Sequence, residues 1–193
     1  MRTKFLLVLV AAGLGSGLAV AEPPKGLVRF APAVQPAADP ASGEKHALAL
    51  IEGKSGSSLT GKAVFVQRGN SVALQITLEN ASPGIHAIHL HEKGDCSAPD
   101  GMSAGPHWNP EGQAHGKWGH SPFHRGDIGN VEVGQDGKGS TSLTSEVWSV
   151  GGAPETDVTN KAVVVHAGPD DFATQPTGNA GGRIGCGVVV AGK

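Results

Sequence analysis

Eight short runs, from "HALALI" at residues 46–51 to "RIGCGVVV" at 183–190, carry apolar side chains at every second position, and helical periodicity is almost absent. In "SVALQITLE" Val72, Leu74, Ile76 and Leu78 alternate with smaller or polar neighbours, as in a strand with one face in a core. The remaining runs are "KAVFVQ", "GIHAIHLHEK", "IGNVEV", "GSTSLT" and "KAVVVH". Arg68-Gly69-Asn70, Pro83-Gly84 and Asp136-Gly137 separate them with residues that suit tight turns. The pattern predicts an all-β fold over residues 45–193, an eight-stranded antiparallel sandwich or flattened barrel. Residues 92–127 and 145–160 are long, Gly- and Pro-rich and outside the pattern, and loops of that length in a compact domain are usually functional or disordered; four of the nine histidines and one of the two cysteines in the first weigh against disorder there.

The chain begins with a different signal. Residues 1–21 have Arg2 and Lys4, an apolar run and then Ala19-Val20-Ala21, which fits a secretory signal peptide cleaved after Ala21. Gly13, Gly15, Ser16 and Gly17 break the run, which argues against the rival reading of a membrane anchor, and no later segment approaches the roughly 20 apolar residues a spanning helix needs. Residues 22–44 are rich in Pro and Ala without periodicity and read as a flexible leader. Export implies a periplasmic or extracellular setting, where Cys96 and Cys186 can persist as a disulfide. The alternative is two unpaired buried cysteines. Removing the signal peptide takes two of 15 basic residues and none of 17 acidic ones, leaving 13 against 17 and a formal net charge of −4. That balance argues against a nucleic-acid or anionic-membrane partner.

The histidines concentrate chemistry. In "GIHAIHLHEK" His89 and His91 are two apart and share a strand face, whereas His86 starts on the other. The loop "GPHWNPEGQAHGKWGHSPFHRGD" adds His107, His115, His120, His124 and Asp127. His124 and Asp127, three apart, can turn onto one ion with His107 and His115, and three imidazoles with one carboxylate suit a closed tetrahedral Zn²⁺ site. His89, His91 and His166 supply nitrogens for a second ion, and a histidine-rich open site suits Cu²⁺, which can cycle between oxidation states. One histidine using both ring nitrogens would couple the two ions.

"GIHAIHLHEKGDC", "SAGPHWNP", "HRGDIGN", "VVVHAGPDD" and "PTGNAGGRIGCGV" occur in the order and spacing of the Cu/Zn superoxide dismutase family, which this chain resembles from about residue 46 to 191. The resemblance implies a Greek-key β-barrel that binds one copper and one zinc per chain and converts two superoxide anions to O₂ and H₂O₂ by copper redox cycling. It implies copper ligands His89, His91, His107 and His166, and zinc ligands His107, His115, His124 and Asp127, with His107 bridging and relaying a proton. Asp170 resembles the carboxylate that hydrogen-bonds one histidine from each metal, and His86 a non-ligand histidine bonded to backbone nearby. Arg183 would receive the anion beside copper, with Thr177 narrowing the entrance. Cys96 and Cys186 would tie the long loop to the last strand. Family members pair in more than one way or act alone, so a homodimer is one implied arrangement. His46 and His120 match no ligand and read as solvated surface.

Two departures from better-known members stand out. Between Asp170 and Thr177 there is only "DFATQP", without the lysines of their longer loop, so Lys93, Lys117 or Arg125 is expected to help attract the anion. Cys96 directly follows Asp95 and stands eleven positions before His107, an arrangement that resembles exported bacterial members. A metal-delivery protein on the same fold would have no need of Arg183 beside an open site, and an adhesion module would leave the histidine pattern unexplained. If the signal peptide is cleaved as expected, the mature exported protein begins at Glu22, which N-terminal sequencing or intact mass reads directly.

Overall fold

The structure is a computed structural model and describes residues 43–192, so the predicted signal peptide and all but the last two residues of the 22–44 leader lie outside the described residues. The eight alternating runs form β1 (Lys45–Gly53), β2 (Thr60–Arg68), β3 (Ser71–Glu79), β4 (Gly84–His91), β5 (Asp127–Val133), β6 (Gly139–Ser145), β7 (Ala162–His166) and β8 (Arg183–Val188). A two-residue β9 (Val190–Ala191) follows, and one 3₁₀ turn, Met102–Ala104, interrupts the longest loop.

Neighbours run β2-β3-β6-β5-β4-β7-β8-β1, and β1 also pairs β2, so the antiparallel sheet closes into a barrel. Sequential strands β3 and β4 are not neighbours, nor are β6 and β7, and these crossings give the Greek-key order. The β2–β3 hairpin turns at Gly69-Asn70, with Gly69 at φ 56, and pairs in register from Arg68↔Ser71 to Thr60↔Glu79.

The final run departs from the single strand its sequence suggests. At Val189 the backbone turns away, donating its N–H to Lys161 O and accepting from Asn160 N–H, each at 2.9 Å. The register on β1 is the same on both sides of this break, from Glu52↔Cys186 to Leu48↔Val190, so β9 continues β8 after an interruption. Gly187 permits the close approach, since a Cβ there would lie 2.4 Å from the Leu50 carbonyl oxygen.

Alternate residues fill the barrel: Ile51, Phe65, Leu74, Ile76, Ile88, Leu90, Val163 and Val165 are at most 2% exposed. β4 and β7 differ from the other strands because the opposite face is buried too. On β4 Ala87, His89 and His91 alternate with the core pair Ile88 and Leu90; on β7 Ala162, Val164 and His166 alternate with Val163 and Val165. Residues 92–126 cover that second face. Trp108 and Gly126 bond to the end of β4 and to each other, with Trp108 N–H to Leu90 O at 2.8 Å, Leu90 N–H to Gly126 O at 2.8 Å and Gly126 N–H to Trp108 O at 2.9 Å. A Cβ at Gly126 would come within 2.2 Å of Leu90 O, so glycine is required for this fit.

The other long segment, 146–161, works in packing. Trp148 lies edge-on to Phe65 with centroids 6.0 Å apart, and Val150 and Val158 join the core. The connection over the histidines is instead 167–182, between β7 and β8.

Cys96 and Cys186 are disulfide-bonded across a sequence separation of 90, tying the covering loop to β8. Such a bond restricts the unfolded chain, so replacing both cysteines with serine should lower the unfolding free energy by about 2–5 kcal/mol. Urea titration of the double variant against the oxidised wild type measures the loss.

Candidate metal centre

His89 and His91 project from the covered face of β4, and His166 closes β7 beside them. His107 reaches them from the loop through an isolated bridge between its backbone and that of His91. One ring nitrogen of each residue is already engaged. His89 Nε2 lies 2.9 Å from Asp170 Oδ2, His91 Nδ1 2.8 Å from Gly105 O, His166 Nδ1 3.2 Å from Gly181 O and His107 Nδ1 2.9 Å from Asp127 Oδ1. The other nitrogens, His89 Nδ1, His91 Nε2, His107 Nε2 and His166 Nε2, are buried and have no hydrogen-bond partner. The bonded nitrogens of His91 and His166 face carbonyls and must carry the proton, so their Nε2 atoms present lone pairs.

Ligand atoms of these four residues lie within 4.8 Å of one another, and so do those of a second set, His107, His115, His124 and Asp127. His107 belongs to both. In the second set His124 Nδ1 is 3.3 Å from His107 Nδ1, and His115 Nδ1 is 3.0 Å from Asp127 Oδ2 without alignment for a hydrogen bond. Lone pairs buried in this way cost free energy unless something binds them. Convergent nitrogens in one set and three nitrogens with a carboxylate in the other fit copper and zinc, respectively.

The surroundings orient both sets. Asp170 joins them, Oδ2 to His89 Nε2 and Oδ1 to His115 Nε2, each at 2.9 Å. Asn130 was not singled out from sequence, yet it brackets Asp170: its Nδ2 donates to Asp170 O at 3.0 Å, and its Oδ1 accepts from Asp170 N–H at 2.8 Å. Asp127 Oδ2 accepts the backbone N–H groups of Gly116 and His124 at 3.1 and 2.7 Å. His86 faces away from both sets, with Nδ1 2.8 Å from His166 O and Nε2 2.8 Å from Ser82 O.

Electrostatics follow from burial and these contacts. Burial pushes His107 down to about 4, against the pull of Asp127, and pushes His166 down to about 3. It also takes His91 well below its ordinary value, assisted by His107. Burial opposes protonation of His115 too, but the carboxylates of Asp127 and Asp170 outweigh it and hold His115 at about 9. Burial would raise Asp127 and Asp170, and hydrogen bonds from the histidines overcome this and keep both well below the usual carboxylate range.

Arg183 begins β8, half-buried, and donates Nη1 to Gly101 O at 2.8 Å and Nη2 to Gly105 O at 2.7 Å. Gly105 O is also the partner of His91 Nδ1, so one carbonyl joins the guanidinium to the first set. Thr177 is exposed and precedes Gly178, where the chain packs on Asp170 and His115. Among the expected anion-attracting residues Arg125 is corrected: its guanidinium donates to Val147 O, pairs with Glu111 and lies 5.9 Å over the Trp108 ring, so it is committed to packing. Lys117 lies 5.8 Å over Phe172, whereas the Lys93 stem runs along Gly105 beside the Arg183 anchor. His46 pairs with Glu44 at 2.9 Å, and His120 is exposed.

A family model described as copper/zinc superoxide dismutase (SODC) matches residues 59–189, a span containing both sets and Arg183. Among solved structures, the clock protein EA4 is similar, with a TM-score of 0.66 and 34% identity over 75% of this chain and 92% of that one.

After removal of metal by chelation, the protein should be most stable near neutral pH. His91, His107 and His166 are lowered from 6.5, so below that value the unfolded chain binds more protons, and stability falls as the pH drops towards 3. His115 has the opposite sign, adding stability below 6.5 that is lost as the pH rises through about 9. Three lowered groups against one raised make the acid limb the steeper. Urea midpoints across this range test the shape, and a profile rising steadily into alkali would contradict it.

Proposed function

Because this chain belongs to the copper/zinc superoxide dismutase family, an oxidoreductase family that binds copper and zinc, we propose specific roles for its residues in dismutation outside the cytoplasm. His89, His91, His107 and His166 hold copper, and His107, His115, His124 and Asp127 hold zinc, with His107 shared. The observation that carries this reading is the four buried, partnerless nitrogens converging from two strands and a loop. When bound, copper exchanges one electron with superoxide in either direction while zinc contributes a fixed positive charge on the far side of His107.

The protein's own groups do the rest. His107 directs Nε2 to one set and Nδ1 to the other, so the same ring can hold a proton at Nε2 and pass it to the departing product. The centre's histidines are at most 5% exposed, so only a small ligand can reach them, as suits diatomic superoxide. Arg183, fixed by two carbonyls, offers the anion a stationary cation beside His91. Thr177 stands at the rim, and Lys93 adds positive charge to the approach.

The disulfide is consistent with export. In this reading residues 1–21 are cleaved as a signal peptide, the protein acts in a periplasm or outside the cell, and residues 22–44 are a tether for the catalytic domain 45–193.

Mature protein reconstituted with copper and zinc should remove superoxide rapidly. Arg183→Ile should slow it about 10-fold or more and flatten its salt dependence. His107→Ala should abolish most activity and weaken zinc retention. A fully metallated wild type without activity would overturn the reading.

A further inference from the structure

The side chain of Gln175 brackets the main chain of His115, and its Nε2 also donates to Ala173 O in its own segment at 3.2 Å. His115 N–H donates to Gln175 Oε1 at 2.8 Å, and Gln175 Nε2 donates to His115 O at 2.8 Å. This is the same two-bond bracket that Asn130 forms on Asp170. Satisfying both polar groups of one residue fixes its main chain as a neighbouring strand would. His115 has no such strand, for it lies in a part of the covering loop without regular secondary structure.

The contact is part of a built surface. Asp170 Oδ1 holds His115 Nε2 at 2.9 Å, fixing the far edge of the ring. Gly178, at φ 64, lets the segment close on the pair, since a Cβ there would lie 1.9 Å from Asp170 Oδ1 and 2.6 Å from His115 Nε2. With its main chain held by Gln175 and its Nε2 edge by Asp170, the imidazole can turn only Nδ1 into the second set.

We propose that Gln175 is a positioning residue for zinc, aiming His115 Nδ1 by clamping the His115 main chain. The inference rests on the zinc assignment above. Linkage makes the effect reciprocal, so zinc bound at His115 in turn steadies the segment carrying Asp170 and Gln175.

The test is zinc affinity of the copper-loaded mature protein, measured by competition with a chromophoric chelator, together with amide hydrogen exchange at His115 in the chelator-stripped full chain. Gln175→Ala should weaken zinc about 10-fold and speed exchange at His115, leaving copper affinity unchanged. Gln175→Glu keeps the acceptor for His115 N–H and loses the donor, so it should fall between the two. Thr174→Ala removes a hydroxyl that bonds only Asp171 in the same segment, and should match the wild type. Equal zinc affinity in wild type and Gln175→Ala overturns the inference, as does an equal loss in Thr174→Ala, which would mark general loosening. A wild type that takes up no zinc brings down the zinc assignment and the inference with it, and unchanged His115 exchange in Gln175→Ala would show that the clamp itself fails.

Discussion

One buried carboxylate organises the centre. Asp170 accepts from His89 and His115, 81 and 55 residues away in sequence, and in doing so selects the tautomer of each ring. With Nε2 protonated and bonded, each ring turns Nδ1 inward, His89 to the first set and His115 to the second. The charge that makes this possible is itself preserved, because the histidine hydrogen bonds outweigh the cost of burying it. Asn130 then holds the Asp170 backbone against β5, so the orientation is anchored to the barrel.

The barrel supplies rigidity through an unusual use of two strands. β4 and β7 give one face to the core and the other to histidines, which requires the loop 92–126 to exclude water from that second face. The disulfide fastens that cover to β8, and the Lys54 ammonium on Cys96 O at 2.6 Å and the Ser55 N–H on Pro99 O at 2.8 Å fasten it to the turn between β1 and β2. The chemistry therefore sits outside the barrel yet is almost as dry as its interior.

How much of this was legible follows from what each signal depends on. Alternation reports directly on which faces are buried, so all eight long strands could be read, as could the separation of His86 from His89 and His91. Metal-type ligands are few and chemically distinctive, and their clustering in one loop and two strand ends was visible without coordinates. Asn130, Gln175, Lys54 and the carbonyls of Gly101 and Gly105 were not, because amides, ammonium groups and peptide oxygens occur everywhere and their partners lie some 40 to 80 residues away. The break at Val189 was hidden for a similar reason: it arises from bonds to Asn160 and Lys161 that no local pattern announces. Arg125 looked like a free charge in sequence, and only packing revealed Trp108 and Val147 beneath it.

The Gly105 carbonyl, which accepts from both His91 and Arg183, has a consequence for how such a protein can change. A peptide oxygen is identical whatever side chain its residue bears, so no point substitution can delete this joint while leaving the chain intact. Variation can exchange the imidazole or the guanidinium, but the element that holds them together belongs to the main chain. It can move only when the path or length of the segment around Met102–Ala104 changes, and then both groups move together. The two halves of the centre are thereby inherited as one unit.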